Sequence, residues 1–141
     1  MFDSEHARRL RRSGDVRLVG GYSSALVVLM KIVEKPWGRE LWIAHTDKYA
    51  LKIIEVNKGT RSSLQLHVKK HEHIYVDSGV LQMEWENDRG GMETLVLKPG
   101  EVIENKPGRK HRATAIENVR LIEVSTPELD DVVRIEDDYK R

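Results

Sequence analysis

Closely spaced turn signals divide most of the sequence into short segments, and this spacing limits the folds open to the chain. The turns contain Gly, Pro or Asn and stand at 57-NKGT-60, 87-NDRGG-91, 98-KPGE-101 and 106-KPGRK-110. Such clusters interrupt helices and favour tight turns. The segments between them are too short for long helices and alternate polar with apolar residues or carry β-branched runs; they include 40–44, 48–56, 61–67, 72–79, 80–86, 92–97 and 119–125. Alternation with a period of two is typical of strands, so the pattern predicts an all-β domain, an antiparallel sandwich or barrel.

One of these strands has an unusually polar face. Arg61, Ser63, Gln65 and His67 occupy alternate positions, and alternate residues of a strand share a face. This row is too polar for an ordinary core. In a small barrel or jelly roll it would either face solvent or line a wet cavity.

Histidines are concentrated in 64-LQLHVKKHEHIYVDSG-79, which holds three of the six in the chain beside Glu72. A metal site would explain this grouping, and a polar strand with its turn would explain it equally. The chain has no cysteine, so a metal here would need nitrogen and oxygen ligands. His71 and His73 flank Glu72 and would point away from it in a strand.

Length and charge indicate one globular domain over residues 30–141. The 141 residues carry a net charge of only +1, which argues against a general nucleic-acid binder. Residues 1–29 are predicted to be a disordered or loosely attached N-terminal extension, and Met30 is a possible second start. The apolar stretch 25–33 is far shorter than the ~20 residues of a membrane span. It also lacks the cleavage pattern of a signal peptide, and the predicted location is cytoplasmic.

Two stretches resemble the paired signatures of the cupin superfamily. In 59-GTRSSLQLHVKKHEHIYVDSG-79, Gly59 and Gly79 fit the ends, while Gln65, His67 and Glu72 take the ligand positions. In 100-GEVIENKPGRKHRATAIEN-118, the matching positions are Gly100, Gly108, His111 and Asn118. The resemblance implies a cupin fold, a jelly-roll barrel also described as a double-stranded β-helix.

A narrower resemblance spans about residues 31–141. The motifs 35-KPWGRELW-42 and 133-VRIEDDYKR-141 are similar to those of short, single-domain relatives of type II mannose-6-phosphate isomerases. The same module forms the C-terminal part of bifunctional mannose-1-phosphate guanylyltransferases. One departure concerns positions 68–70, where the family has histidine-rich residues followed by arginine and this chain has 68-VKK-70.

The resemblance implies one divalent metal ion held by Gln65, His67, Glu72 and His111. Zinc is favoured, with Mn, Fe, Co or Ni as alternatives, because a nitrogen and oxygen set with one negative charge suits all of them. Arg61 would clamp a phosphate or hydroxyl, unless it is buried in an ion pair with a glutamate. Further candidates for substrate binding are Lys52 and Arg112. Candidates for the general base are Lys69 and His73, followed by Glu84 and Tyr75.

The implied activity is the interconversion of an aldose and a ketose phosphate, such as mannose 6-phosphate and fructose 6-phosphate. Two alternatives stay open: an Fe(II)-dependent cupin dioxygenase, and a sugar-binding cupin without catalysis. The expected partners are a small sugar phosphate and a second copy of the chain in a homodimer. No nucleic acid and no membrane are expected as partners.

Overall fold

The structure is a computed structural model that describes residues 16–18, 26–28 and 30–141. The chain divides into two compact units, Met1–Lys31 and Ile32–Arg141. In the first unit the described residues form one antiparallel pair of strands, β1 (Val16–Leu18) and β2 (Leu26–Val28). The rest of the predicted N-terminal extension lies outside the described residues, so its loose attachment stays a prediction.

From Lys31 onward the described chain forms eleven strands in two antiparallel sheets. The first sheet has the order β10-β7-β12-β5-β4-β3. Its strands are β3 (Lys31–Lys35), β4 (Gly38–His45), β5 (Ala50–Val56), β7 (Glu72–Ser78), β10 (Val102–Asn105) and β12 (Val119–Ser125). The second sheet has the order β13-β6-β11-β8-β9. Its strands are β6 (Leu64–Leu66), β8 (Leu81–Glu86), β9 (Met92–Leu97), β11 (His111–Ala115) and β13 (Val133–Glu136).

The core forms where the inner faces of the two sheets meet. Burial alternates strictly along β5 and along most of β7 and β12, as expected for strands with one covered face. Val76 and Leu121 of the first sheet belong to one buried cluster with Leu81 and Met83 of the second. Burying an aliphatic side chain of this size stabilises a fold by about 1.5–3 kcal/mol, so this cluster holds the sheets together.

The all-β prediction is confirmed, and the turn signals fall between strands. The acidic tail spans residues 127–141. It contains β13, which pairs with β6 at the edge of the second sheet. Pairing satisfies backbone groups on both strands, so the tail folds back on the barrel. In the described part of the chain, no helical segment has the length and hydropathy of a membrane crossing.

Candidate metal centre

Three buried side chains converge inside the barrel. Glu72 begins β7, His111 begins β11, and His67 directly follows β6. The Oε1 atom of Glu72 lies 3.6 Å from His67 Nε2 and 3.4 Å from His111 Nε2. Their side chains are at most 5% exposed. Two imidazoles and a carboxylate thus meet at one point, contributed by segments far apart in the chain.

Each imidazole has its other nitrogen occupied by a backbone carbonyl. His67 Nδ1 donates to the carbonyl oxygen of Asp131 at 2.5 Å, and His111 Nδ1 donates to that of Arg109 at 3.1 Å. These bonds assign the N–H to Nδ1 and leave the lone pair on Nε2 in both rings. Metal-ligating histidines are oriented by contacts of this type.

The hydrogen bonding of the converging atoms is incomplete, although Glu72 Oε1 accepts a hydrogen bond from Asn105 Nδ2 at 3.1 Å. His67 Nε2 is buried and has no hydrogen-bond partner among the residues that the structure describes, although a buried polar atom of this type is normally paired. Two ligands each about 2.1 Å from a tetrahedral zinc would be about 3.4 Å apart. The separations of 3.4 and 3.6 Å therefore fit a bound divalent cation.

Gln65 completes the set predicted from the sequence. It is the cross-strand partner of His111, and opposite residues on antiparallel strands point to the same face. Gln65 and the three converging residues line one cavity. The Gln65 Oε1 atom accepts a hydrogen bond from the Ser63 hydroxyl at 2.7 Å. An amide oxygen has two lone pairs, so one remains for a metal.

The protonation states of Glu72 and His111 suit metal binding. Burial alone would raise the pKa of Glu72, but the neighbouring imidazoles and the Lys70 ammonium hold it well below its usual range. Burial lowers the pKa of His111, which favours its neutral form. An ionised carboxylate and a neutral imidazole are the forms that ligate metals.

A chain of buried charges extends from Glu72 across the cavity. Lys70 Nζ lies 2.6 Å from Glu72 Oε2 and 3.4 Å from Glu123 Oε1. Lys52 Nζ continues the chain, 3.2 Å from Glu123 and 3.5 Å from Glu40. Burial raises the pKa of Glu123. Sequence reasoning missed Lys70, Glu123 and Glu40, although Glu123 carries a signal because it interrupts the apolar inner row of β12.

These groups surround a cavity of about 310 Å³, at the small end of ligand pockets. Trp42 and Met83 contribute apolar surface to its wall. The metal-binding candidates and the buried charges form its polar part. The arrangement can hold a small polar molecule against a cation, beside carboxylates able to carry a proton.

Of the three residues predicted to bind substrate, one lines the cavity and two do not. Lys52 lines the cavity, but two carboxylates already engage it. Arg61 instead forms a bidentate pair with Asp138, at 2.7 and 2.9 Å, and is not among the residues lining the cavity. Arg112 is buried against Glu136 at 3.0 Å, also outside the lining. The geometry therefore gives no support to an oxyanion clamp at either arginine.

The predicted catalytic residues also lie outside the cavity lining. His73 is on the outer face of β7 with half of its side chain exposed, because it alternates with the buried Glu72 and Ile74. Lys69 is exposed in the loop after β6. The further candidates are Tyr75, on the outer face of β7, and Glu84, which lies 3.8 Å from Arg112. The geometry supports none of these four as a base.

Comparison with known proteins identifies relatives along most of the chain. Residues 24–137 match the family model described as the mannose-6-phosphate isomerase C-terminal domain. The chain is 32% identical over 117 residues to the xanthan biosynthesis protein XanB of Xanthomonas campestris pv. campestris. It is also 32% identical over 114 residues to the mannose-1-phosphate guanylyltransferase of Escherichia coli K12. Each match covers 77% of this chain and 23% of the relative, so the chain spans about a quarter of their length.

Solved structures share the fold at low identity. KdgF from Halomonas sp. has a TM-score of 0.63 at 22% identity, covering 72% of this chain and 91% of KdgF. A variant of Bacillus subtilis oxalate decarboxylase OxdC has a TM-score of 0.68 at 14% identity, covering 75% and 30%. The capsular polysaccharide assembling protein CapF of Staphylococcus aureus has a TM-score of 0.66 at 15% identity, covering 78% and 35%. These similarities confirm the cupin fold.

Proposed function

The chain belongs to the mannose-6-phosphate isomerase C-terminal family, and from this membership we propose that it is a metal-dependent aldose–ketose isomerase acting on a sugar phosphate such as mannose 6-phosphate. The observation that carries the proposal is the convergence of His67, Glu72 and His111 on one point in a buried cavity. The curated relatives support the substrate class, since one is a mannose-1-phosphate guanylyltransferase.

Gln65, His67, Glu72 and His111 would hold the cation. Zinc is our first choice because two imidazole nitrogens and two oxygens suit it, although the same donors accept Mn, Fe, Co or Ni. Mn(II) centres occur in the oxalate decarboxylase of Bacillus subtilis, which shares the fold. When bound, the cation would polarise the substrate carbonyl and make the adjacent proton easier to remove.

The proton must move between neighbouring carbons of the sugar. A positioned base contributes about 10²–10⁴-fold to such a step, and it must lie within reach of the bound substrate. Glu40 and Glu123 line the cavity and are anchored by Lys52. We place the base at one of these two carboxylates rather than at Lys69 or His73, which face away.

The test is conversion of mannose 6-phosphate to fructose 6-phosphate by protein loaded in turn with Zn, Mn, Fe, Co or Ni. We expect turnover that a chelator abolishes and the metal restores. His111→Ala should remove it, because the variant loses an imidazole ligand. His45→Ala is the matched control, since His45 is exposed, bonds the carbonyl of Pro127 and meets the Trp42 ring edge-on, away from the metal-binding candidates. No conversion with any of these metals would refute the isomerase.

A second candidate follows from the same three residues. Two histidines and one carboxylate are also the ligand set of non-haem Fe(II) oxygenases. Oxygen consumption that requires Fe²⁺ would favour this dioxygenase. Tight binding of mannose 6-phosphate without conversion, measured by calorimetry, would favour a sugar-binding cupin without catalysis.

We also propose a homodimer, as the family resemblance implies. The outer face of the first sheet carries an apolar row that crosses four strands in register: Val102, Tyr75, Ile122 and Ile53. Val102 and Tyr75 are exposed, and exposed apolar patches often mark association sites. Sedimentation equilibrium should give a dimer, and Tyr75→Lys should shift it to monomer. A monomeric wild type would refute the dimer.

A further inference from the structure

Most cations around the cavity are already occupied. Within the described chain, five Lys or Arg residues line it: Lys35, Lys52, Lys70, Arg134 and Arg141. Lys52 and Lys70 each contact two buried carboxylates. Lys35 lies 3.8 Å from Glu40, and Arg141 makes a bidentate pair with Asp137. An anion entering the cavity would compete with a carboxylate for each of these four.

Arg134 is the exception. It is exposed on β13, and among the described residues no hydrogen bond or ion pair engages its guanidinium. An arginine normally satisfies its five donors with carboxylates, carbonyls or water. An unpaired guanidinium at the entrance of a cavity is therefore available to a ligand.

Strand pairing places Arg134 beside the metal-binding candidates. Arg134 is directly opposite Gln65, and Gln65 is directly opposite His111. Opposite residues on antiparallel strands share a face, with Cβ atoms about 4.5–5.5 Å apart. The three residues form one row across β13, β6 and β11. Arg134 is thus two strands away from His111 and faces the same cavity.

We infer that Arg134 is the residue that recognises the phosphate of the substrate. The planar guanidinium fits the oxygens of a phosphate in bidentate fashion, and its place in the row lets it hold one end of a small molecule while the other end faces the metal ligands. This inference deepens the proposed function, because it rests on a sugar phosphate as the substrate. It assigns to Arg134 the role that the sequence predicted for Arg61.

A substrate class follows from this placement. The cavity is small, so its ligand is a monosaccharide-sized polyol rather than a longer chain. The phosphate lies at the end of the molecule opposite the oxygens that face the metal ligands. A neutral sugar would lose the contact with Arg134 and bind more weakly, and high salt would weaken binding of the phosphate ester by screening an exposed charge pair.

The experiment measures binding, so it does not depend on turnover. Calorimetry on zinc-loaded protein would give Kd values for mannose 6-phosphate, mannose and inorganic phosphate. The proteins are wild type, Arg134→Gln, Arg134→Lys, Arg61→Gln and, as a control, Arg120→Gln. Arg120 is a surface arginine too, but unlike Arg134 it has carboxylate partners, and it lies on the outer face of the first sheet. Thermal melts establish that each variant is folded.

We expect Arg134→Gln to weaken mannose 6-phosphate binding at least about tenfold, the effect of losing a charged hydrogen bond. Binding of mannose should change little, Arg134→Lys should retain part of the affinity, and Arg120→Gln should match wild type. Unchanged affinity of Arg134→Gln for mannose 6-phosphate overturns the inference. So does a loss of this affinity confined to Arg61→Gln, or a wild type that binds neither mannose 6-phosphate nor inorganic phosphate.

The two proposals can fail separately. Arg134-dependent binding without conversion of mannose 6-phosphate would remove the isomerase and keep the phosphate site. Conversion by wild type together with full binding and activity in Arg134→Gln would keep the isomerase and remove the role of Arg134.

Discussion

Among individual side chains, Asp131 connects the C-terminal segment to the metal-binding candidate His67 in two ways. Its backbone carbonyl accepts the Nδ1 proton of His67, and its carboxylate accepts the backbone N–H groups of Val68, Lys69 and Lys70 at 2.6–3.0 Å. The carboxylate therefore fixes the loop that follows His67. One residue sets both the tautomer and the position of the imidazole.

Removing the Asp131 carboxylate should weaken metal binding. We expect Asp131→Ala to lose about tenfold in zinc affinity, because outer contacts of metal ligands are worth about 10–100-fold. Competition with a zinc-binding dye measures this. Asp138→Asn, in the same segment but paired with Arg61, is the control and should bind normally. Equal affinities for Asp131→Ala and wild type would show that the loop holds His67 without this carboxylate.

Lys52 should be needed for folding as well as for the cavity. Its side chain is 6% exposed and separates the carboxylates of Glu40 and Glu123. Lys52→Met should destabilise the protein by roughly 3 kcal/mol, because it removes the cation that two buried carboxylates share. The more distant Lys35 and Lys70 remain beside them, at 3.8 and 3.4 Å. Urea unfolding measures the loss. Adding Glu123→Gln should recover part of it, and Lys98→Met, at an exposed lysine, should be neutral. A loss below about 1 kcal/mol for Lys52→Met would contradict this account.

At the level of strands and turns, Gly79 holds the corner between β7 and β8. Its φ of +84° is a conformation that side chains rarely adopt, and a Cβ there would stand 2.1 Å from the backbone oxygen of Asn118. Gly79 and Asn118 are the last residues of the two cupin signatures. The two signatures therefore meet at this corner, where the backbones approach so closely that only glycine fits at position 79.

Two glycine variants distinguish the cost of backbone strain from the cost of a steric clash with a neighbouring backbone. Gly90 also has a positive φ, of +78°, but nothing lies within 4 Å of its Cβ position. Gly90→Ala should cost about 1–2 kcal/mol from backbone strain alone. Gly79→Ala should cost roughly 3 kcal/mol or more, because the backbone must also move. Chemical denaturation measures both, and equal losses would rule out the steric explanation.

The tail after β13 should loosen in acid. Asp138 is paired with Arg61, and the hydrogen bond from Arg61 is the main cause that lowers the pKa of Asp138. A carboxyl with a lowered pKa stabilises the fold above its unfolded value of about 3.9, and this contribution is lost as the pH falls through the folded value. Asp138→Asn should therefore lower the melting temperature at pH 7. The difference from wild type should fade below about pH 4; a difference that grows in acid would contradict the pairing.

For the whole domain, a bound metal ion should raise the free energy of unfolding. A ligand at 100 times its Kd stabilises the native state by about 2.7 kcal/mol, or roughly 10 °C in melting temperature for a domain of this size. Chelator should lower the melting temperature of wild type by that amount, and zinc should restore it. His111→Ala should melt at one temperature with or without zinc. A wild type insensitive to both additions would contradict a bound cation.

Local sequence was sufficient for the strands and for the ligand candidates. Turn residues and alternation act over a few positions, so they determined where β5, β7, β8 and β12 lie. Gln65, His67 and Glu72 stand within eight residues, and their spacing within a signature marked them as one group. Resemblance to a second signature added His111.

Only the packed chain decided which charged side chains face the cavity. The alternating pattern predicts that Arg61 and Gln65 share a face. However, this segment is a strand only over Leu64–Leu66, and the Arg61 side chain pairs with Asp138 instead. Arg134 reaches the cavity because β13 pairs with β6 in one particular register. Register and sheet packing depend on contacts between segments distant in sequence, since a face becomes an interior only when another sheet covers it. Short-range patterns therefore identified the metal-binding candidates, and long-range pairing selected the residues around them.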